Sequence, residues 1–182
     1  MVYILLGNGF ETVEALCPCD LMRRAGIEVA LTSLTENQQV TSGQHVTVTA
    51  DITLDQVDLS QAELIMLPGG LGGVAEILGT QKALDLIQKA AAEEKWVCAI
   101  CAAPTVLAKL GLLEGKPATV YPGMENQMEG AQTKPGSHVV QTGKIITGEA
   151  AGSSFDFGLK LVEVLRGPEA REQVRAGVHY CD

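Results

Sequence analysis

The stretch Val97-Cys98-Ala99-Ile100-Cys101-Ala102-Ala103-Pro104 consists of four apolar residues, a thiol, two small residues and a proline. Its apolar part does not alternate with polar residues, which is typical of a parallel strand buried on both faces. Proline suits the first turn of a helix, because the N–H that it lacks would have no partner there. The stretch therefore predicts a buried strand that turns sharply into a helix at Cys101.

The same pattern recurs along the chain. Tyr3–Leu6 and Leu64–Leu67 are further uninterrupted apolar runs, and Thr119–Tyr121 is a shorter one. Segments with helical periodicity lie between and after these runs, which predicts an α/β fold with a doubly wound parallel sheet and helices on both faces. Residues 38–51 and 138–147 have features of antiparallel hairpins instead, and we expect both to be small additions to the parallel core.

The composition is that of a globular protein with a surplus of acidic residues. The 182 residues include 13 Lys and Arg against 22 Asp and Glu, a formal net charge of −9 at pH 7, and 46% are hydrophobic. We expect one domain over residues 1–182. The negative charge argues against nucleic acid or an anionic membrane as a partner. No apolar segment has the length of a signal peptide or a membrane span, so a cytoplasmic location is expected.

Cys101 is the main candidate for a reactive residue. Sites in doubly wound sheets lie beyond the carboxyl ends of the strands, and Cys101 follows a predicted strand directly. A thiol on a sharp strand-to-helix turn has the geometry of a nucleophile elbow, and the helix amino terminus should lower its pKa. The alternative is a buried structural cysteine, since free cysteine packs like a small apolar residue.

The other cysteines do not suggest a redox or metal centre. Five cysteines at this density are not typical of a secreted disulfide framework, and we interpret them as thiols. Cys98 and Cys101 form a C-x-x-C pattern, but three residues of strand separate their α carbons by about 10 Å, too far for a disulfide. Cys17 and Cys19 do not share a helix face, so no zinc site is expected.

Further candidates lie near two other strand ends. Glu14 falls among apolar residues of a predicted helix, where an inward-pointing carboxyl group is costly unless it is paired or protonated. Its alternative is an exposed charge, and Glu11 is an equal candidate. The loop 68–73 lacks the spacing of a dinucleotide-binding fingerprint. Its glycines instead let backbone N–H groups approach the sulfur, so the amides of Gly70 and Ala102 are predicted to form an oxyanion hole.

Four segments in this order resemble the ThiJ/PfpI family, most of all the branch of the Parkinson-associated deglycase. They are E-A-L-C-P-C-D-L-M-R-R-A-G from Glu14, L-P-G-G from Leu67, A-I-C-A-A-P from Ala99 and G-S-S-F-D-F-G-L-K-L-V-E from Gly152. The resemblance implies a flavodoxin-like α/β sandwich, a homodimer and no cofactor or metal ion. It matches Cys101 to the reactive elbow cysteine and Glu14 to the carboxylic acid that hydrogen-bonds the sulfur.

The resemblance also implies a pocket, for which Gly69, Tyr121 and Glu149 are candidates, and the chain departs from the family pattern there. Tyr121 stands where this branch often has His, and a phenol is a poor general base at neutral pH. Ala102 stands where protease-like members have His, so peptidase activity is not expected. Glu149 and Gln44 stand where relatives often have Arg, which should weaken the binding of acidic substrates.

Two functions follow from these residues. The first is a glyoxalase-like or deglycase-like reaction in which Cys101 attacks a small reactive carbonyl compound, Glu14 moves a proton and water is the second substrate. The second is a non-enzymatic oxidative-stress sensor or redox-regulated chaperone that uses oxidation of the same cysteine. The sequence leaves open which of the two applies, and thus whether the protein is an enzyme.

Overall fold

The structure, a computed structural model, describes residues 1–180, so Cys181, interpreted above as a thiol, lies outside them. The strands of the described residues are β1 (Val2–Leu6), β2 (Val29–Ser33), β3 (Gln39–Thr41), β4 (Thr47–Thr49), β5 (Ile52–Thr53), β6 (Leu64–Leu67), β7 (Trp96–Ile100), β8 (Pro117–Ala118), β9 (Gln132–Thr133), β10 (Val139–Thr142) and β11 (Ile145–Gly148). Seven of them form a central sheet in the order β10-β11-β7-β6-β1-β2-β5. All neighbours in this sheet are parallel except β10, which pairs antiparallel with β11.

Helices cover both faces of the sheet. Alternate residues of β1 show this, because Val2, Ile4 and Leu6 belong to one apolar core and Tyr3 and Leu5 to another. The helices are α1 (Thr12–Arg24), α2 (Leu71–Gly79), α3 (Gln81–Ala92), α4 (Pro104–Lys109), α5 (Ser154–Arg166) and α6 (Pro168–Gly177). Helices α1, α5 and α6 pack in the first core, and α2, α3 and α4 pack in the second. The predicted flavodoxin-like α/β architecture is confirmed.

Both predicted hairpins form. Strands β3 and β4 make a separate antiparallel pair, and β10 and β11 join around the Thr142-Gly143 turn. The second hairpin is more than an addition, because β11 also pairs parallel with β7 and so extends the main sheet. None of the helices within residues 1–180 is long and apolar enough to cross a membrane.

The strand predicted at Thr119–Tyr121 is wrong. The nearby strand β8 comprises only Pro117–Ala118 and pairs with β9 outside the main sheet. Thr119 does not continue it because its N–H donates to the Thr147 side chain at 2.9 Å. Tyr121 then donates its N–H to the Cys101 carbonyl oxygen at 2.9 Å, which ties this irregular segment to the end of β7.

Candidate functional site

Cys101 lies on a strained turn between β7 and α4, as predicted. Its φ of +65° is in the left-handed region that residues with a β carbon rarely adopt, at a cost of about 1–3 kcal/mol. The turn is held on one side by the Cys101 N–H, which donates to the Gly148 carbonyl oxygen at 3.0 Å. The sequence Ala102-Ala103 adds no bulk before Pro104 begins the helix. The thiol is therefore fixed at the carboxyl end of the sheet.

Glu14 meets this thiol from α1. Its side chain is fully buried and hydrogen-bonds with Cys101, and its Oε2 atom accepts the Gly69 N–H at 2.9 Å. Its Oε1 atom has no N–H or O–H partner among the described residues. The predicted inward-pointing carboxyl group is thus present, and the alternative of an exposed charge is wrong.

Burial raises the pKa of the Glu14 carboxyl group to about 7. Removal from water disfavours the ionised form, and the negative charge of Glu11 acts in the same direction. The hydrogen bonds from Cys101 and Gly69 oppose the shift without cancelling it. Near neutral pH, Glu14 therefore exchanges a proton easily, which is what a proton shuttle requires.

The pKa of the Cys101 thiol is raised, whereas the sequence predicted that it would be lowered. Burial raises it to about 12, and the charge and hydrogen bond of an ionised Glu14 add to the increase. Hydrogen bonds from the amides of Ala102 and Gly70 lower the pKa but do not outweigh these causes. The sequence-based expectation counted the amide donors and omitted burial and the neighbouring carboxylate. Both causes that involve Glu14 require its charge, so the state of the thiol depends on the proton of Glu14.

The backbone N–H groups predicted for an oxyanion hole do face the sulfur. The amides of Gly70 and Ala102 both hydrogen-bond to Cys101 Sγ. Gly70 precedes α2 and has a φ of +86°, which is strained for any residue other than glycine. Two backbone donors from separate loops therefore converge on one sulfur atom.

Position 69 requires glycine because the Glu14 carboxyl group and the Cys101 thiol meet beside it. A β carbon at this position would lie 2.5 Å from Glu14 Oε2, 2.7 Å from Cys101 Cβ and 3.1 Å from Cys101 Sγ. No side chain fits in this space without moving one of the two reactive groups. Gly69 thus permits the contact between Glu14 and Cys101.

A cavity of about 550 Å³ opens over the sulfur. Its size is within the range of small-molecule sites. Among the described residues that line it, Glu11 has the only charged side chain. The lining residues are Glu11, Gly70, Leu71, Cys101, Ala102, Tyr121, Pro122, Gly123, Met124 and Gln127.

The other predicted pocket residues have mixed outcomes. Tyr121 lines the cavity and is 47% exposed. Gly69 is not among the lining residues, although it lies beside Glu14 and Cys101. Glu149 is not a lining residue, because its Oε1 atom accepts the Gly136 N–H at 2.8 Å and the carboxylate is held in the adjacent loop. Gln44 reaches the rim, where its Nε2 atom donates to Glu11 Oε2 at 2.8 Å.

Sequence reasoning missed Met124 and Gln127, at the far end of the segment that follows Tyr121. Pro122, Gly123, Met124 and Gln127 form one wall of the cavity, and a short 3₁₀ turn spans Glu125–Gln127. The Pro122-Gly123 pair is a turn signal that indicates a return of the chain at this point. It could have identified the segment as a loop over the strand ends.

The remaining thiols differ from Cys101 in their surroundings. The four described cysteines are free. Cys98 is completely buried within β7, and burial raises its pKa strongly. Burial also raises the pKa of Cys17 to about 12 on α1, where no hydrogen bond opposes the shift. Within residues 1–180, no three His, Cys, Asp or Glu side chains converge as the ligands of a metal ion would.

Comparison with known proteins gives consistent matches over the chain. The family model described as "DJ-1/PfpI family" matches residues 1–164. Protein dj-1beta of Drosophila melanogaster is 35% identical over 176 residues, which cover 96% of this chain and 94% of that protein. A protein named as a deglycase in Pyrococcus horikoshii is 29% identical over 166 residues, which cover 91% of this chain and 99% of that protein.

Comparison with solved structures supports the same relationship. The crystal structure of Drosophila melanogaster DJ-1beta superposes with a TM-score of 0.95 at 34% sequence identity. The superposition covers 100% of this chain and 98% of the other. The likeness therefore extends over the whole fold, including the elements that carry the Cys101 turn and the cavity.

Proposed function

Since the chain belongs to the DJ-1/PfpI family and is a DJ-1-like stress protein, we propose that Cys101 reacts with small carbonyl compounds without a cofactor. One observation carries the proposal: a thiol on a strained turn contacts a buried carboxyl group whose pKa is near neutral. Such a carboxyl group can accept the thiol proton during attack and return it later. The named deglycase among the relatives supports carbonyl chemistry of this kind.

An α-oxoaldehyde such as methylglyoxal illustrates the proposed steps. Cys101 Sγ forms a bond to the aldehyde carbon while Glu14 takes the thiol proton and passes it to the former carbonyl oxygen, which becomes a hydroxyl group. Glu14 then moves a proton from the first carbon to the second. The hydroxyl proton of the first carbon passes to the oxygen of the second, so the first carbon becomes a thioester carbonyl and the second carries the hydroxyl group of lactate. Water cleaves the thioester, and lactate and the free thiol are released. No electrons enter or leave overall, because one carbon is oxidised and its neighbour is reduced.

The amides of Gly70 and Ala102 have a defined task in this scheme. They donate to the sulfur in the resting protein, and they would stabilise the negative oxygen that develops on the carbon attached to that sulfur. Tyr121 and Gln127 offer neutral hydrogen-bonding groups in the cavity. The lining contains no Lys, Arg or His among the described residues, so a small substrate without a carboxylate fits it best.

The unpartnered Oε1 atom of Glu14 favours a second candidate, a sensor of oxidants. Peroxide oxidises a thiolate to a sulfenate with release of water, and a second equivalent gives a sulfinate. A protonated Oε1 could donate to a sulfinate oxygen, and the Gly70 and Ala102 amides could donate to the sulfur or its oxygens. The same contacts thus suit an oxidised cysteine.

One experiment tests both candidates. The purified protein, with and without prior exposure to a few equivalents of peroxide, is incubated with methylglyoxal. Lactate is measured by NMR, and the masses of the intact protein and of the Cys101 peptide are recorded. The enzymatic proposal predicts lactate only from the untreated protein. Lactate at no more than the buffer rate would overturn it. A mass increase of two oxygen atoms at Cys101 before other thiols, without turnover, would support the sensor instead.

A further inference from the structure

The cavity over Cys101 carries an unbalanced negative charge. Glu11 lies on its wall, and Glu14 lies beneath it. The negative charge of Glu11 reaches the reactive pair, since it contributes to the raised pKa of Glu14. No cationic side chain is among the described lining residues. A molecule that enters this cavity therefore meets an acidic wall close to the sulfur.

The position of Glu11 is held by several hydrogen bonds. Its N–H donates to the Gly69 carbonyl oxygen at 2.9 Å, which ties it to the loop beneath the sulfur. Its Oε2 atom accepts the Gln44 amide at 2.8 Å, and the other end of that amide accepts from the Thr12 hydroxyl at 2.9 Å. Glu11 is the residue that precedes α1, yet its side chain makes no capping hydrogen bond to that helix. The partner of this carboxylate is thus a neutral amide, which does not balance a negative charge on the cavity wall.

We propose that Glu11 makes this site selective for positively charged substrates, namely carbonyl compounds that carry an ammonium group. Neutral carbonyl compounds react less readily, and carbonyl compounds with a carboxylate least. The inference rests on the proposed function where it calls these compounds substrates. The charge preference is a property of the cavity and does not depend on that function. It can therefore be measured by any reaction of the Cys101 sulfur.

The expected size of the charge preference follows from Coulomb's law. A unit charge about 6 Å from Glu11 in a water-exposed cleft changes a rate by roughly threefold. A cation gains this factor and an anion loses it, so neutralising Glu11 should lower the ratio of cation to anion rates by about tenfold. Salt should reduce the same ratio in the unmodified protein, because the cavity is open to solvent.

The test uses three thiol reagents of similar size and different charge: trimethylammonioethyl, hydroxyethyl and sulfonatoethyl methanethiosulfonate. In each case the Cys101 thiolate displaces methanesulfinate and forms a mixed disulfide. Rates at Cys101 are read by peptide mass spectrometry in the wild type, in Glu11→Gln and in Glu28→Gln. Glu28 is the matched control, since it is exposed and precedes β2, at the opposite end of the sheet from the cavity.

The expected result is the order cationic, neutral, anionic in the wild type and in Glu28→Gln. The cation-to-anion ratio should fall about tenfold in Glu11→Gln. A second variant, Gln44→Arg, keeps Glu11 but gives it a cationic partner, and it should reduce the ratio in the same direction. An unchanged ratio in both variants, or faster reaction with the anionic reagent, would overturn the inference. Failure to convert methylglyoxal would overturn the proposed function and leave this result standing.

Discussion

Cys101→Ser is expected to lower kcat/KM for methylglyoxal by at least about a thousandfold, equivalent to about 4 kcal/mol of transition-state stabilisation. A serine hydroxyl is a much weaker nucleophile, and Glu14 with a pKa of about 7 is too weak a base to ionise it. Serine has nearly the size of cysteine, so the hydrogen bonds of the turn to Gly148 and Tyr121 should persist. The measurement is lactate formation under substrate-limiting conditions.

Cys17→Ser is the matched control for this substitution. Cys17 is also half-buried with a raised pKa, but it lies on α1 and does not line the cavity. Its variant should keep the wild-type rate, and thermal melting should show that both variants are folded. Equal turnover by wild type and Cys101→Ser would exclude Cys101 as the nucleophile.

Glu14→Gln is expected to remove a pH dependence of stability. The folded-state pKa of Glu14 is raised from 4.5 to about 7, so the folded protein binds a proton that the unfolded chain has lost. The stabilising contribution of this proton is complete below pH 4.5 and is lost as pH rises through 7. A shift of this size corresponds to about 2–3 kcal/mol of unfolding free energy between pH 5 and pH 8.

Urea unfolding at pH 5 and pH 8 measures this effect. Wild type should lose about 2–3 kcal/mol more unfolding free energy over this interval than Glu14→Gln, because the amide side chain does not ionise. Other titrating groups are common to both proteins and cancel in the comparison. Parallel pH profiles for the two proteins would show that Glu14 does not carry a raised pKa in the folded state.

Most of the fold could be predicted because buried parallel strands leave a plain pattern. The uninterrupted apolar runs of β1, β6 and β7 reflect burial on both faces, and the glycines and small residues after them mark tight turns. Helix α6 was not predicted, and Val174 is its only buried residue, so the apolar period is too weak to detect. Strand β8 ends at Ala118, and the next N–H, of Thr119, donates to the Thr147 side chain, a contact that the local sequence does not record.

The candidate site could be predicted in its residues but not in its electrostatics. The local turn around Cys101 and the inward direction of Glu14 follow from neighbouring residues. The raised pKa of the thiol depends on how deeply two distant segments are buried together, and no local pattern records this. The loop position of Glu149 likewise depends on a hydrogen bond to Gly136. The expected homodimer, cytoplasmic location and carbonyl substrate stay predictions.

The central claim is that Glu14 controls the reactivity of Cys101, and the pH dependence of iodoacetamide labelling at Cys101 tests it most directly. The charge and hydrogen bond of an ionised Glu14 help to hold the pKa of the Cys101 thiol at about 12, so labelling of the wild type should still be rising at alkaline pH. Glu14→Gln keeps the size of the side chain but removes its charge, so the midpoint should move to lower pH and labelling at pH 9 should become at least about threefold faster. A midpoint that is the same in the two proteins would contradict the account.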